Sequence, residues 1–87
     1  MMNPEVIWDF VSSETVGPIR LLIYEVSHRG QLYTVQAAEH LGAGADNHLI
    51  SLGRAGEESP VAKKWFHSLD DGLAWAEQRL IELDPNS

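Results

Sequence analysis

The clearest pattern of apolar and polar positions runs from Ile19 to Ala38, where two apolar segments flank Arg29-Gly30. A polar residue followed by glycine suits the positive φ angles of a two-residue hairpin turn. We therefore predict a β-hairpin at the centre of a small sheet, with these two residues as its turn. The turn fixes the strand register, which pairs His28 with Gln31, Val26 with Tyr33, Tyr24 with Val35 and Leu22 with Ala37.

This register gives the hairpin one apolar face. The last three pairs are apolar and share a face, because side chains alternate along a strand. The opposite face pairs Ser27 with Leu32, Glu25 with Thr34 and Ile23 with Gln36, which is mostly polar. The segment 19–23, however, is apolar on both faces. We expect that end to be covered on both sides or to lie deep in the sheet.

The N-terminal segment Val6–Val11 fits either a strand or a short helix. Val6, Trp8 and Phe10 alternate as in a strand, whereas Val6, Ile7, Phe10 and Val11 also fit a helix face. The β-branched and aromatic content favours a strand, and we expect Trp8, near the N-terminus, to lie on an edge of the sheet. The turn-rich segment 12–18 then joins it to the hairpin.

Two further short strands are predicted after the hairpin. Glycines interrupt residues 39–47, which we interpret as a mobile loop. A fourth strand follows at 48–53, and a second loop ends at Pro60. The segment 61–67 could begin a helix after Ser59-Pro60, but we favour a fifth strand.

The last element is predicted to be a helix that begins after Ser68. Ser68 is a suitable N-cap with Asp71 three residues later, and Asp70 and Asp71 suit the positive end of the helix dipole. Its apolar stripe consists of Leu69, Leu73, Ala76, Leu80 and Leu83. Asp84-Pro85 ends it, which leaves 84–87 as a disordered tail. The fold class is thus α+β: a mainly antiparallel meander of about five strands, with the C-terminal helix packed on the apolar face of the hairpin.

Composition restricts the class of protein. A chain of 87 residues corresponds to one domain, here 1–87. It has no cysteine, which excludes disulfides and thiolate sites and fits a reducing cytosol. We find no signal-peptide pattern and no apolar run long enough for a membrane span, so we expect a soluble, cytoplasmic protein without membrane contacts. The net charge of −7 disfavours charge-driven binding to nucleic acid.

Candidate catalytic and ligand-binding groups are few. His40, Asp46 and His48 surround the glycine-rich loop but match no metal-ligand spacing. His67, Ser68, Asp70 and Asp71 include the residue types of a catalytic triad, but capping already explains the last three. The sequence GAGAD lacks the spacing of a phosphate-binding loop. We therefore predict no catalytic residue, metal or cofactor, and keep a small enzyme or ligand site at the loop 40–48 as an alternative.

Two surfaces remain as candidate binding sites. Lys63, Lys64, Trp65 and Phe66 place two aromatic rings beside two positive charges, which suits single-stranded nucleic acid. Trp75 should lie at the margin of the helix's apolar stripe, and with Trp8 and Arg79 it forms a candidate protein interface, because large aromatics often anchor interfaces. The sequence favours a non-catalytic, acidic protein-interaction domain, such as a small regulator or inhibitor, with an unidentified protein or a second copy as partner. Nucleic-acid binding is the second hypothesis.

Overall fold

The structure is a computed structural model, and it describes residues 6–42, 47–57 and 59–83. Five strands form one antiparallel sheet in chain order and are followed by one helix. This confirms the predicted α+β meander with a C-terminal helix. The elements are β1 (Val6–Val16), β2 (Ile19–His28), β3 (Gln31–His40), β4 (His48–Arg54), β5 (Ala62–Phe66) and α1 (Leu69–Leu83).

The central hairpin β2–β3 has the predicted turn and register. Arg29 and Gly30 have φ angles of 51° and 78°, as a two-residue turn of this kind requires. All four predicted pairs are present, from His28 opposite Gln31 to Leu22 opposite Ala37. The agreement of turn chemistry with the apolar pattern was therefore a reliable guide to the register.

Strand β1 is longer than predicted. Residues 12–16, expected to lie in a connecting turn, continue the strand to Val16, and the turn to β2 is reduced to Gly17-Pro18. The register shifts by one residue between Phe10 and Ser12, where the strand bulges. An edge strand has one partner and little buried surface, so polar residues are tolerated on both of its faces. Residues 12–16 therefore show no alternation of apolar and polar positions from which a strand could be predicted.

The predictions for the other strands and for the helix start are confirmed. Strand β4 extends one residue beyond the predicted 48–53, β5 lies within the predicted 61–67, and helix α1 begins directly after Ser68. The Oγ of Ser68 accepts a hydrogen bond of 3.2 Å from the backbone N–H of Asp71, as an N-cap does. The predicted tail at 84–87 lies outside the described residues.

Helix α1 packs on the apolar face of the sheet. Ala76 and Leu80 from its stripe are fully buried, and Leu69, Leu73 and Leu83 pack at the margin. The helix lies over β3, β4 and β5, on the predicted face of the sheet but farther from β2 than packing on the hairpin implied. The buried apolar residues that form the core are Leu22, Val26, Tyr33, Val35, Ala37, Ile50, Leu52, Ala76 and Leu80.

Gly72 brings the helix close to β4. A Cβ atom at this position would overlap the side chain of Ile50, coming within 2.7 Å of its Cδ1, and would lie 3.3 Å from Cδ1 of Phe66. Glycine is therefore the residue that allows the first turns of α1 to reach the sheet at this depth.

No described element packs on the other face of the sheet. Of the two alternatives expected for 19–23, the described residues support a place deep in the sheet, because β2 lies between β1 and β3. Ile19, Leu21 and Ile23 are half-buried.

Candidate functional site: the open face of the sheet

We call the surface of the sheet opposite α1 the open face. Paired residues of neighbouring strands share a face, so the register assigns its side chains in rows. Its widest apolar row crosses four strands through Leu21, Ala38, Leu49 and Trp65, and it continues on β1 with Glu14. The next row contains Ser12, Ile23, Gln36, Ser51 and Lys63.

The open face is apolar along β2 and at its rims. Three large aliphatic residues of its centre, Leu21, Ile23 and Leu49, are half-buried. Val16 is 65% exposed and Trp65 is 45% exposed. Contiguous apolar surface of this kind on a small protein commonly marks an interaction site.

Trp65 contacts His40 on this surface. The two ring centroids are 5.0 Å apart with a tilt of 55° between the planes. His40 lies in the outermost row beside Ile19 and Val16. This stacking holds the indole of Trp65 over the β3–β4 side of the face and leaves nearly half of its surface to solvent.

Charges on the open face are segregated by strand. Asp9, Glu14 and Glu25 are exposed acids of β1 and β2, whereas Lys63 is an exposed base of β5. In the register, Asp9 pairs with Glu25 and both belong to the row of Thr34 and Gly53. One side of the face is therefore acidic and the opposite edge is basic.

A cavity of about 380 Å³ opens on the basic side of this face. The loop after β4 forms one wall, where the Cα of Pro60 lies 3.4 Å from the position of a Cβ on Gly53. Arg54 and Lys63 line the cavity, and within the described part of the chain neither forms an ion pair. The remaining lining residues are Thr34, Gln36, Leu49, Ser51, Gly53, Glu57, Ser59 and Pro60.

The residues proposed as a protein interface lie on the other side of the sheet. Trp75 is half-buried against Phe66, with ring centroids 5.4 Å apart. Trp8 is half-buried, contacts Tyr24 edge-on at 5.7 Å, and donates a hydrogen bond of 2.8 Å to Glu77. Arg79 is exposed and pairs with Glu82 at 3.0 Å. These contacts give both tryptophans a role in helix packing, and their role in an interface stays a prediction.

Strand alternation divides the candidate nucleic-acid patch between two faces. Lys63 and Trp65 lie on the open face, whereas Lys64 and Phe66 lie on the helix side. There the Nζ of Lys64 is 5.5 Å from the centre of the Phe66 ring. The four residues therefore do not form one stacking surface, and half of the patch remains on the open face.

The candidate metal ligands are not brought together. The register puts His40 on the open face and His48 on the helix side, and Asp46 lies outside the described residues. Across residues 6–42, 47–57 and 59–83, no group of three or more His, Asp or Glu side chains could hold a metal ion. Residues 43–46 of the glycine-rich loop are not described, so the ligand site predicted at 40–48 stays a prediction.

His67, Ser68 and Asp71 are arranged around the start of the helix. Besides the capping bond of Ser68, the Nε2 of His67 lies 3.1 Å from a carboxylate oxygen of Asp71, one helical turn away. Both side chains are largely exposed. These contacts support the helix terminus.

The sequence analysis missed a polar network on the helix side. Glu39 pairs with Arg20, whose Nε donates a bond of 2.7 Å, and with His48 Nε2 at 3.0 Å. Burial alone raises the pKa of Glu39, but the hydrogen bonds of Arg20 and His48 and the charge of Arg20 lower it overall. The sequence contained a signal for the Arg20–Glu39 pair, because the predicted hairpin register places these two residues opposite each other. The predicted pairs ended at Leu22 and Ala37 and so did not include them.

Comparisons with protein-family models, curated proteins and solved structures give no significant match to this chain. Among the described residues, no helix has the length and apolar character needed to cross a membrane.

Proposed function

We propose that this chain is a non-catalytic, acidic protein-interaction domain that binds its protein partner through the open face. The observation that carries the proposal is the row Leu21, Ala38, Leu49 and Trp65, which crosses four strands without any described element packed on it. A cytoplasmic location, which the lack of cysteine favours, is part of this proposal.

The composition of β2 supports a covered state for this face. A strand that is apolar on both faces is typical of sheets that are buried on both sides. Helix α1 covers only one side of the sheet, where Leu22 and Val26 belong to the core. A partner on the open face would bury Leu21 and Ile23 in the same way.

The charges of the open face favour a protein over nucleic acid. Asp9, Glu14 and Glu25 would repel phosphates, and binding to a nucleic-acid backbone depends on neutralising them with Lys and Arg. Of the candidate nucleic-acid patch, only Lys63 and Trp65 lie on this face. The test must therefore distinguish binding to a protein from binding to nucleic acid.

A photo-crosslinking residue at position 65 tests the proposal, with the same residue at position 78 as control. Gln78 is an exposed position on α1, away from the sheet. We expect discrete protein adducts from position 65, in purified protein or in lysate of the source cell, and none from position 78. The substitution Leu49→Asp should abolish them, because it places a carboxylate in the apolar row. Adducts to nucleic acid alone, or equal adducts from both positions, would refute the proposal.

A further inference from the structure

We propose that the occupant of the open face is a second copy of this chain, stacked face to face with reversed strand order, and that Glu25 of each copy enters the cavity of the other. This inference rests on the proposed function, because it names the partner for the same surface.

The stacking follows from a two-fold axis that runs parallel to the strands and lies over β3. Such a rotation exchanges β1 with β5 and β2 with β4, and it keeps every row at its own level along the axis. The row of Leu21 and Leu49 therefore meets its own copy, with Leu21 of one chain over Leu49 of the other. Ala38 meets Ala38 at the axis, where the small side chains permit close approach.

The same rotation sets the acidic side of each copy over the basic side of the other. Asp9, Glu14 and Glu25 of β1 and β2 lie over β5 and β4. Lys63 of β5 is on the open face, whereas Arg54 pairs with Tyr33 on the helix side and lines the cavity from the end of β4. Packed sheets are rotated by about 30°, which shifts β1 and β5 by about 5 Å along the strands. Lys63 therefore lies near Asp9 or Glu14 of the second copy. The shift for β2 and β4 is only about 2–3 Å, so the position of Glu25 is better determined.

Glu25 lies over Gly53, because both belong to the row that contains Thr34. Gly53 has no side chain, and the cavity opens beside it with Arg54 and Lys63 in its lining. The Cα of Pro60 lies 3.4 Å from the position of a Cβ on Gly53, so the loop stands over Gly53 and the carboxylate of Glu25 enters the cavity beside Pro60. The carboxylate of Glu25 thereby gains two cations, while Glu57 on the loop wall is the opposing acid.

Among face-to-face two-fold arrangements with aligned strands, the other one is electrostatically unfavourable. An axis perpendicular to the strands would place β1 over β1 and β2 over β2, and Asp9, Glu14 and Glu25 would face acidic strands. Like charges across an interface oppose association. The charges therefore select the reversed strand order.

The area of the open face is sufficient for a stable dimer. Strands about 4.8 Å apart and rows about 6.8 Å apart give roughly 700 Å² of sheet per copy. Two copies would cover roughly 1,400 Å², which falls within the size range of specific interfaces, about 1,200–2,000 Å².

Sedimentation equilibrium on the full chain tests the arrangement. We expect a reversible dimer that Glu25→Arg and Arg54→Glu each weaken by at least about 30-fold, because each change introduces a like-charge contact at two symmetric places. Combining the two substitutions should restore most of the affinity. Glu82→Arg is the matched control for Glu25→Arg: it changes the charge by the same amount, at an exposed position of α1, and should leave the dimer intact.

The outcomes separate this inference from the proposed function. A dimer that tolerates Glu25→Arg and Arg54→Glu as well as the control overturns the reversed stacking. A monomer at every concentration up to about 1 mM overturns self-pairing, since the dissociation constant would then lie above the millimolar range. In that case protein adducts from position 65 in lysate would preserve the proposed function, and their absence would refute it as well.

Discussion

The indole N–H of Trp8 donates a hydrogen bond of 2.8 Å to Oε1 of Glu77, and it thereby connects the edge strand β1 to α1. The two residues are 69 positions apart in the chain. Helix α1 lies over β3, β4 and β5. The bond to Trp8 therefore joins the helix to a strand that the helix does not cover. Trp8 therefore belongs to the packing of the helix side, and the open face is a separate surface.

Removing this bond should destabilise the fold. We expect Trp8→Phe to lower the free energy of unfolding by about 1–2 kcal/mol, because the half-buried carboxylate loses its donor and the smaller ring loses contact with Tyr24. Urea unfolding measures the change. In a double-mutant cycle with Glu77→Leu, the two losses should be less than additive. Simple additivity would show that the hydrogen bond contributes nothing.

Gly72→Ala should be destabilising, although alanine is the better helix former by about 1 kcal/mol. The added methyl overlaps Ile50, so we expect a net loss of about 1–3 kcal/mol in the free energy of unfolding. Shortening the neighbour by Ile50→Ala supplies the control. In that background Gly72→Ala should become neutral or stabilising, and an undiminished loss there would contradict the overlap with Ile50.

The two tryptophans Trp75 and Trp65 should respond differently to truncation. Trp75 is half-buried against Phe66, and Trp75→Ala should cost about 2–4 kcal/mol of unfolding free energy. Trp65→Ala should cost at most about 1 kcal/mol in the monomer, because the residue is 45% exposed and loses mainly its stacking on His40. Urea unfolding at low concentration distinguishes them. Equal losses would show that Trp65 is a core residue and weaken its assignment to an interface.

Glu39 should make stability depend on pH. Its pKa is lowered in the folded chain, so its contribution is complete above the ordinary carboxyl pKa and is lost as the pH falls through the lowered value. We expect Glu39→Gln to cost about 1–3 kcal/mol of unfolding free energy at pH 7. The difference from the unmodified chain should shrink as the pH falls below the ordinary carboxyl range. Urea unfolding over this pH range measures it, and a constant difference would contradict the role of the ionised carboxylate.

The sheet was predictable where two independent signals coincided. At β2–β3 the turn residues and the apolar alternation each imply the same register, and both are local. The N-cap at Ser68 was similarly local. Strand β1 extended beyond its apolar alternation, because residues 12–16 lie on an exposed edge where burial imposes no pattern.

The open face could not be located from the sequence, since an apolar pattern does not tell whether its cover comes from the same chain. The segment 19–23 indicated either a cover on both sides or a place deep in the sheet, and among the described residues no helix or strand packs on its second face. Gly72 and the cavity beside Gly53 were likewise not predictable, because both depend on contacts between distant segments. Trp75 was correctly placed at the margin of the helix stripe, yet its neighbour Phe66 could not be deduced from periodicity.

Burial of the open face is measured most directly by methyl NMR with a soluble paramagnetic probe. We expect the methyl groups of Leu21 and Leu49 to become protected from the probe as the concentration rises from about 10 μM to about 1 mM, the range in which moderate interfaces form. The methyl of Ala74, which is exposed on α1, should remain accessible throughout. If Leu21 and Leu49 are as accessible to the probe at the highest concentration as at the lowest, a second copy does not cover the open face.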